Sequence, residues 1–235
     1  MSKITNCEHI FFDLDHTLWD FDRNSTETLE EMYLEYDIGF HGNISSELFL
    51  EAFYETNAEL WGLYNQSKVD KNQIRVERFN RMFGRLGIDP TPFPKDLGDV
   101  YLKRCPTKPH LMPYAIEILE YLKNNYQLHI LTNGFADTQQ IKMERSGLLP
   151  YFDVIVTSES TGHKKPDSRI FDFALAEAKT TKENSVMIGD NLNADILGAK
   201  QIGLRSVFYN YSGMDCAKEE VDYEISNLKE LELLF

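Results

Sequence analysis

An α/β fold built on a doubly wound parallel sheet, with an all-helical domain inserted after its first strand, is what the sequence predicts. Three observations lead there. Short apolar runs alternate with helical periodicity from residue 126 onward, as in a parallel sheet with crossover helices. The first apolar run, "EHIFFD" at 8–13, stands far upstream of the next, although a crossover needs only ~10–12 residues at minimum. The stretch between them has helical periodicity and no convincing strand.

The elements follow in order. Residues 8–13 form a short buried strand that ends in a polar turn. After Phe21 the pattern turns helical, with Asn24 as N-cap, Glu27 three residues on, and Leu29, Met32, Tyr33 and Tyr36 on one face. Helical spacing continues through "SSELFLEAFYETNAELWGLY" (45–64) and "NQIRVERFNRMFGRL" (72–86); "DPTPFP" (89–94) interrupts it and "CPTKPH" (105–110) is a linker. Residues 20–106 are therefore assigned to a helical cap, and residues 1–19 with 107–235 to the α/β core. The remaining strands are "YQLHIL" (126–131), "YFDVIVTS" (151–158), "SVMIG" (185–189) and "RSVFY" (205–209).

Composition excludes several classes of function. A formal charge of −14 argues against a nucleic acid polymer as partner, since such surfaces carry an excess of Lys and Arg; a small anion remains compatible with a locally positive field. Cys7, Cys105 and Cys216 are far apart and odd in number, which fits neither a disulfide framework nor a CxxC metal site. With no signal-peptide pattern and no apolar stretch near the ~20 residues of a membrane span, the expectation is a soluble cytoplasmic protein with no membrane partner. Oligomeric state is left open.

Ligands of open α/β sheets bind outside the carboxyl ends of the strands, and four predicted strand ends carry reactive polar residues. The first supplies Asp13, Asp15 and Thr17, and the second Thr132, Asn133 and Gly134. The third is followed by Lys164 and Lys165 before Pro166, where a helix is expected to begin because proline suits the first helical position. The fourth gives Asp190 and Asp195 in "GDNLNAD". Each fragment alone reads as an ordinary turn. Their occurrence together, in order, at one sheet edge gives the composition expected of a site for a divalent metal and a phosphate. His16, His129 and His163 lack metal-ligand spacing; His16, adjacent to the site, is a candidate for shaping it.

This order of motifs, DxDxT, then T, then K-P, then GDxxxxD, resembles the haloacid dehalogenase-like hydrolase superfamily over nearly the whole chain. The resemblance implies Asp13 as nucleophile, and Asp15 as general acid and base that also binds metal through its backbone carbonyl. It further implies Thr132 as holder of the phosphoryl group, Lys165 as the neutralising cation, Asp190 as a magnesium ligand, and Asp195 as an anchor behind the metal or an indirect ligand. Lys164 stands where the family usually has a small residue, and Lys165 is preferred because it directly precedes Pro166. "DLDHTLWDFDRNS", "NAELWGLYNQ", "RFNRMF" and "LTNGFADTQQIKMERSGL" look like the branch of 5′-nucleotidases that removes phosphate from pyrimidine nucleotides, which implies a small phosphorylated metabolite, a nucleotide, as substrate.

On that basis Mg²⁺ between the carboxylates would offset the repulsion of Asp13 and Asp15. Asp13 would attack phosphorus to give an aspartyl-phosphate, and Asp15 would protonate the leaving oxygen and then activate water. Backbone N–H groups of the Leu14–Asp15 and Asn133–Gly134 turns would hold the phosphoryl oxygens, with the cap excluding bulk water. A haloacid dehalogenase has no need of Asp15 and Asp190; a phosphosugar or phosphoglycolate phosphatase, or a phosphosugar mutase, would keep every motif; a catalytically silent binding module would not need the full set. Discrimination among phosphomonoesters is assigned to the cap and its surroundings, with Trp19, Phe21, Trp61, Tyr64, Arg78 and Phe79 as candidates; Trp61 and Phe79 read first as packing residues.

Overall fold

The computed structural model describes residues 3–215, 217 and 221–235, so Cys216 lies outside the described residues. The chain divides into two compact units, one made of residues 1–21 and 109–235 and the other of residues 22–108.

In chain order the elements are β1 (His9–Phe12), α1 (Phe21–Glu35), α2 (Ile38–Gly42), α3 (Ser46–Asn65), α4 (Lys71–Leu86), α5 (Leu97–Arg104), α6 (Ala115–Leu122), β2 (Gln127–Thr132), α7 (Ala136–Ser146), β3 (Val154–Thr157), α8 (Ser158–Thr161), α9 (Ser168–Glu177), β4 (Ser185–Gly189), α10 (Gly198–Gln201), β5 (Arg205–Tyr209), β6 (Tyr223–Ile225) and α11 (Leu231–Leu234). A π-helical turn, Leu192–Leu197, precedes α10.

The strands form one parallel sheet in the order β3-β2-β1-β4-β5-β6. Both faces are covered, which is why β1 and β4 read as unbroken apolar runs without alternation. On one face Phe11, Leu131, Val156 and Met187 pack with Ile170, Phe171 and Ala174 of α9 and Ala199 of α10. Strand order reverses between β1 and β4, whose register pairs Phe12 with Ile188. Such a reversal leaves a crevice at the carboxyl ends of the strands. Among the described residues no helix is long and apolar enough to cross a membrane.

The regular elements of the second unit are all helices among its described residues. Phe49, Phe53 and Leu60 of α3, Ile74, Phe79, Met82 and Phe83 of α4, and Tyr101 of α5 are buried in it. Asp70 and Gln73 form a reciprocal capping box that starts α4, and Gly87, at φ 67°, ends it in the left-handed region. Exposed Arg81 and Arg85 pair with Glu59, and Arg85 also with Glu55, lacing α4 to α3.

Local readings differ from the structure at four places. Helix α1 starts at Phe21, with Asp22 in its first turn where a carboxylate suits the helix dipole. Asn24 lies inside the helix, fully buried, and is not its cap. Pro166 precedes α9; Asp167 caps that helix by accepting from the Arg169 N–H at 3.0 Å. Tyr151 falls in a short 3₁₀ turn, so β3 spans only Val154–Thr157. Strand β6 has no forecast in the sequence: three residues centred on Glu224 carry no periodic signal, and only pairing with β5 makes them a strand.

Candidate active site

The carboxyl ends of β1, β2 and β4 bring the predicted residues together. Asp13 follows β1, its N–H donating to Ile188 O of β4 at 2.9 Å. Its carboxylate, nearly buried, accepts from Lys165 Nζ at 2.6 Å. Lys165 is 2% exposed, and its ammonium also donates to Leu131 O at 2.6 Å and pairs with Asp195 Oδ1 at 2.6 Å. Of the two adjacent lysines it is Lys165 that enters the site. Asn133 explains how: its Oδ1 accepts from Lys165 N at 2.8 Å and its Nδ2 donates to Lys165 O at 2.9 Å, pinning both main-chain groups of that residue.

Asp190 follows β4 and is tied twice to Thr17. Thr17 Oγ1 donates to its Oδ1 and accepts from its N–H, both at 3.1 Å. Asp195, fully buried on the π-helical turn, accepts from Asn191 N at 3.0 Å through Oδ2. Carboxylate atoms of Asp13, Asp190 and Asp195 lie within 4.8 Å of one another. Asp195, expected as an anchor behind the metal or an indirect ligand, lies in the carboxylate cluster in direct contact with Lys165.

Three carboxylates facing one ammonium in a buried space leave excess negative charge. Burial raises the Asp13 carboxyl to about 7 against the pull of Lys165, with Asp195 adding to the rise. Burial and the neighbouring Asp13 and Asp195 carry Asp190 well above the usual carboxylate range. Oxygen-only donors with unneutralised charge fit a hard divalent cation.

The Asp15 side chain is not part of this cluster. Its Oδ1 accepts from Lys142 Nζ at 2.5 Å and its Oδ2 from Gln139 Nε2 at 2.9 Å. Burial alone would raise this carboxyl, but Lys142 and the Gln139 amide outweigh it and hold Asp15 below its ordinary range. The repulsion implied by DxD is therefore relieved in the protein itself, where each aspartate has its own lysine. Gln139 and Lys142 escaped the sequence reading. Their only signal is polar residues at i and i+3 beside Met143 on the buried face of α7.

The anion-holding groups are also redistributed. Leu14 and Asp15 N–H donate to nothing among the described residues and remain free to meet an anion. Gly134 N–H instead donates to Thr132 Oγ1 at 3.1 Å. That oxygen also accepts from Gln139 Nε2 at 2.8 Å, which leaves the Thr132 hydroxyl hydrogen to donate. His16, in the left-handed region at φ 62°, hydrogen bonds to Tyr211 Oη at 3.2 Å and packs beside Phe21. His129 is buried in β2 against His9. His163 holds a local turn, its N–H donating to Thr161 Oγ1 at 2.9 Å. Trp19 is fully buried in the first unit; in the second, Tyr64, Arg78 and Phe79 are buried and Trp61 is half-buried.

Residues 7–203 match the family described as haloacid dehalogenase-like hydrolase. The chain is 33% identical over 227 residues to the pyrimidine 5′-nucleotidase YjjG of Escherichia coli, covering 96% of each. It is 28% identical over 228 residues to the pyrimidine 5′-nucleotidase PynA of Streptococcus pneumoniae, covering 94% of this chain and 92% of that one. Among solved structures, the HAD-hydrolase YfnB of Bacillus subtilis, crystallised with magnesium, superposes with a TM-score of 0.86 at 26% identity, covering 98% and 99% of the two chains. With a parallel sheet in this order, an inserted helical unit and carboxylates and lysine gathered where strand order reverses, the chain belongs to the haloacid dehalogenase-like hydrolase family.

Proposed function

We propose that this hydrolase is a Mg²⁺-dependent 5′-nucleotidase, releasing phosphate from pyrimidine nucleoside monophosphates through an aspartyl-phosphate on Asp13. The observation that carries the phosphatase reading is the Asp13 carboxylate, held by Lys165 inside a cluster of buried acids beside the free N–H groups of Leu14 and Asp15.

Asp13 attacks phosphorus as its oxygen–phosphorus bond forms and the ester bond breaks; the leaving oxygen takes a proton from Asp15, which enters this step as the protonated minor form of a carboxyl that Lys142 otherwise keeps ionised. In the second step Asp15 takes a proton from water, whose oxygen attacks the same phosphorus; the bond to Asp13 breaks and inorganic phosphate leaves. Leu14 N–H, Asp15 N–H, the Thr132 hydroxyl and Lys165 hold the phosphoryl oxygens as charge develops on them. Magnesium held by Asp13, Asp190 and the Asp15 main-chain carbonyl would supply Lewis-acid stabilisation of those oxygens. Asn133 and Asp195 serve by fixing Lys165.

The core provides chemistry that any phosphomonoester meets equally, so selectivity is assigned to the helical unit, residues 22–108, acting as cap. Likeness to the two nucleotidases runs through that unit as well as the core. A phosphate-release panel across pyrimidine and purine nucleoside 5′-monophosphates, phosphosugars and phosphoglycolate tests it. Uridine and thymidine monophosphates are expected to give the highest kcat/KM. A sugar phosphate or phosphoglycolate ahead by a wide margin overturns the nucleotidase assignment and keeps the phosphatase one; absence of phosphate release from every member overturns both.

A further inference from the structure

Helix α7 sends two polar side chains into the buried space beside Asp15. Gln139 is 1% and Lys142 5% exposed, positions that an amphipathic helix normally fills with apolar residues. A lysine buried this far carries a desolvation cost, and here it is met by one carboxylate, that of Asp15, together with the face of Trp19, whose ring centre is 4.5 Å from Nζ. Trp19 is itself fixed, its N–H donating to Leu14 O at 2.8 Å and its carbonyl accepting from His16 N at 2.9 Å.

The Gln139 amide nitrogen is committed twice, donating to Asp15 Oδ2 and to Thr132 Oγ1, while its buried oxygen has no partner among the described residues. The assignment of nitrogen to this position follows from chemistry, since an ionised carboxylate only accepts. The turn after β2 is shaped around that amide. A β-carbon on Gly134 would lie 2.2 Å from Gln139 Nε2, so the glycine is what lets the amide reach both partners.

We propose that Gln139 and Lys142 are positioning residues for Asp15. They fix the plane of its carboxylate from both oxygens, couple it to the Thr132 hydroxyl, and hold it apart from the cluster of Asp13, Asp190 and Asp195. Neither transfers a proton. The inference rests on Asp15 acting as the general acid and base.

The test compares Lys142→Met and Gln139→Leu with the parent on two substrates: p-nitrophenyl phosphate, whose leaving group departs without a proton, and an alkyl monoester, uridine 5′-monophosphate or a sugar phosphate, whose leaving group requires one. Each variant is expected to lower kcat on the alkyl ester by roughly 10- to 100-fold, with KM within about threefold and a smaller loss on the nitrophenyl ester. Lys142→Arg, which keeps a donor, should recover part of the loss. On an Asp15→Asn background Lys142→Met should cost nothing further, because the charge it positions has gone, and Gln139→Leu should keep only the part of its loss that runs through Thr132. Thermal unfolding identifies any variant that fails to fold, and Gln139→Leu, which removes no charge, stands if Lys142→Met does. Equal losses on both esters that persist on the Asp15→Asn background overturn the inference, as does full activity of both variants while Asp15→Asn is inactive. Wild-type alkyl-ester turnover by Asp15→Asn overturns the acid–base reading itself, and the inference with it.

Discussion

Gly189 has no room for a side chain: a β-carbon there would lie 2.2 Å from Asp195 Oδ2. Gly189→Ala would push Asp195 off Lys165, and the expected outcome is a loss of about 1–3 kcal/mol in urea unfolding, the range for overpacking a tight interior, together with reduced turnover. Asp13→Asn keeps shape but removes the nucleophilic charge, so phosphate release should fall by roughly a thousandfold or more. Phosphate or substrate binding, followed by calorimetry, should persist. Turnover near the parent level would remove Asp13 from its role. These residues were legible because DxD, T, K and GDxxxxD are reactive types set at strand ends. Gln139 and Lys142 were not, because a polar residue on a helix reads as solvated until packing places it inside.

The elements carry two further consequences. His9 Nδ1 of β1 and His129 Nε2 of β2 share a hydrogen bond of 3.0 Å. Among the described residues the buried Nδ1 of His129 has no partner. Burial, with His9 adding, depresses His129 to about 4. Its ordinary value near 6.5 governs the unfolded chain, which therefore binds more protons between the two values. The stability due to neutral His129 is fully present above pH 6.5 and is lost as pH falls toward 4, up to about 3 kcal/mol. Urea unfolding at pH 7 and pH 5 should reveal this loss, and His129→Leu should flatten it; an unchanged slope in the variant would rule the pair out as its source. In the helical unit, Arg78 of α4 is buried against the rings of Phe53 and Tyr101, at 5.7 and 5.3 Å, with no carboxylate paired to it among the described residues. Burial of an unpaired cation costs more than ring contacts return. Arg78→Met is expected to raise unfolding stability, measured in urea, and a fall would mean that the guanidinium holds the unit together.

At the scale of the molecule, a cation held by the acid cluster at the reversal of strand order would make folding and cation binding one equilibrium. A ligand bound only by the folded chain stabilises it by about 2.7 kcal/mol at roughly a hundredfold excess over its Kd. For a chain of this size about 1 kcal/mol moves Tm by roughly 2–4 °C. Magnesium should therefore raise Tm by several degrees, chelation should remove the gain and stop turnover, and Asp190→Asn should blunt both responses. A melting curve indifferent to magnesium, with full activity in excess chelator, would exclude the metal.

The sequence by itself determined the architecture: five of the six strands and the long helices are written in local apolar periodicity, and the insertion shows as a gap too long for one crossover. It also determined which reactive residues stand at strand ends. Only the tertiary structure decided their partners. Lys165 rather than Lys164 reaches Asp13, Asp195 joins the acid cluster, Gly134 N–H turns inward to Thr132, and Asp15 pairs with a lysine far along the chain. The physical reason is that a hydrogen bond or an ion pair across elements depends on distance and burial, which no short stretch of sequence records, whereas periodicity is a property of each stretch alone.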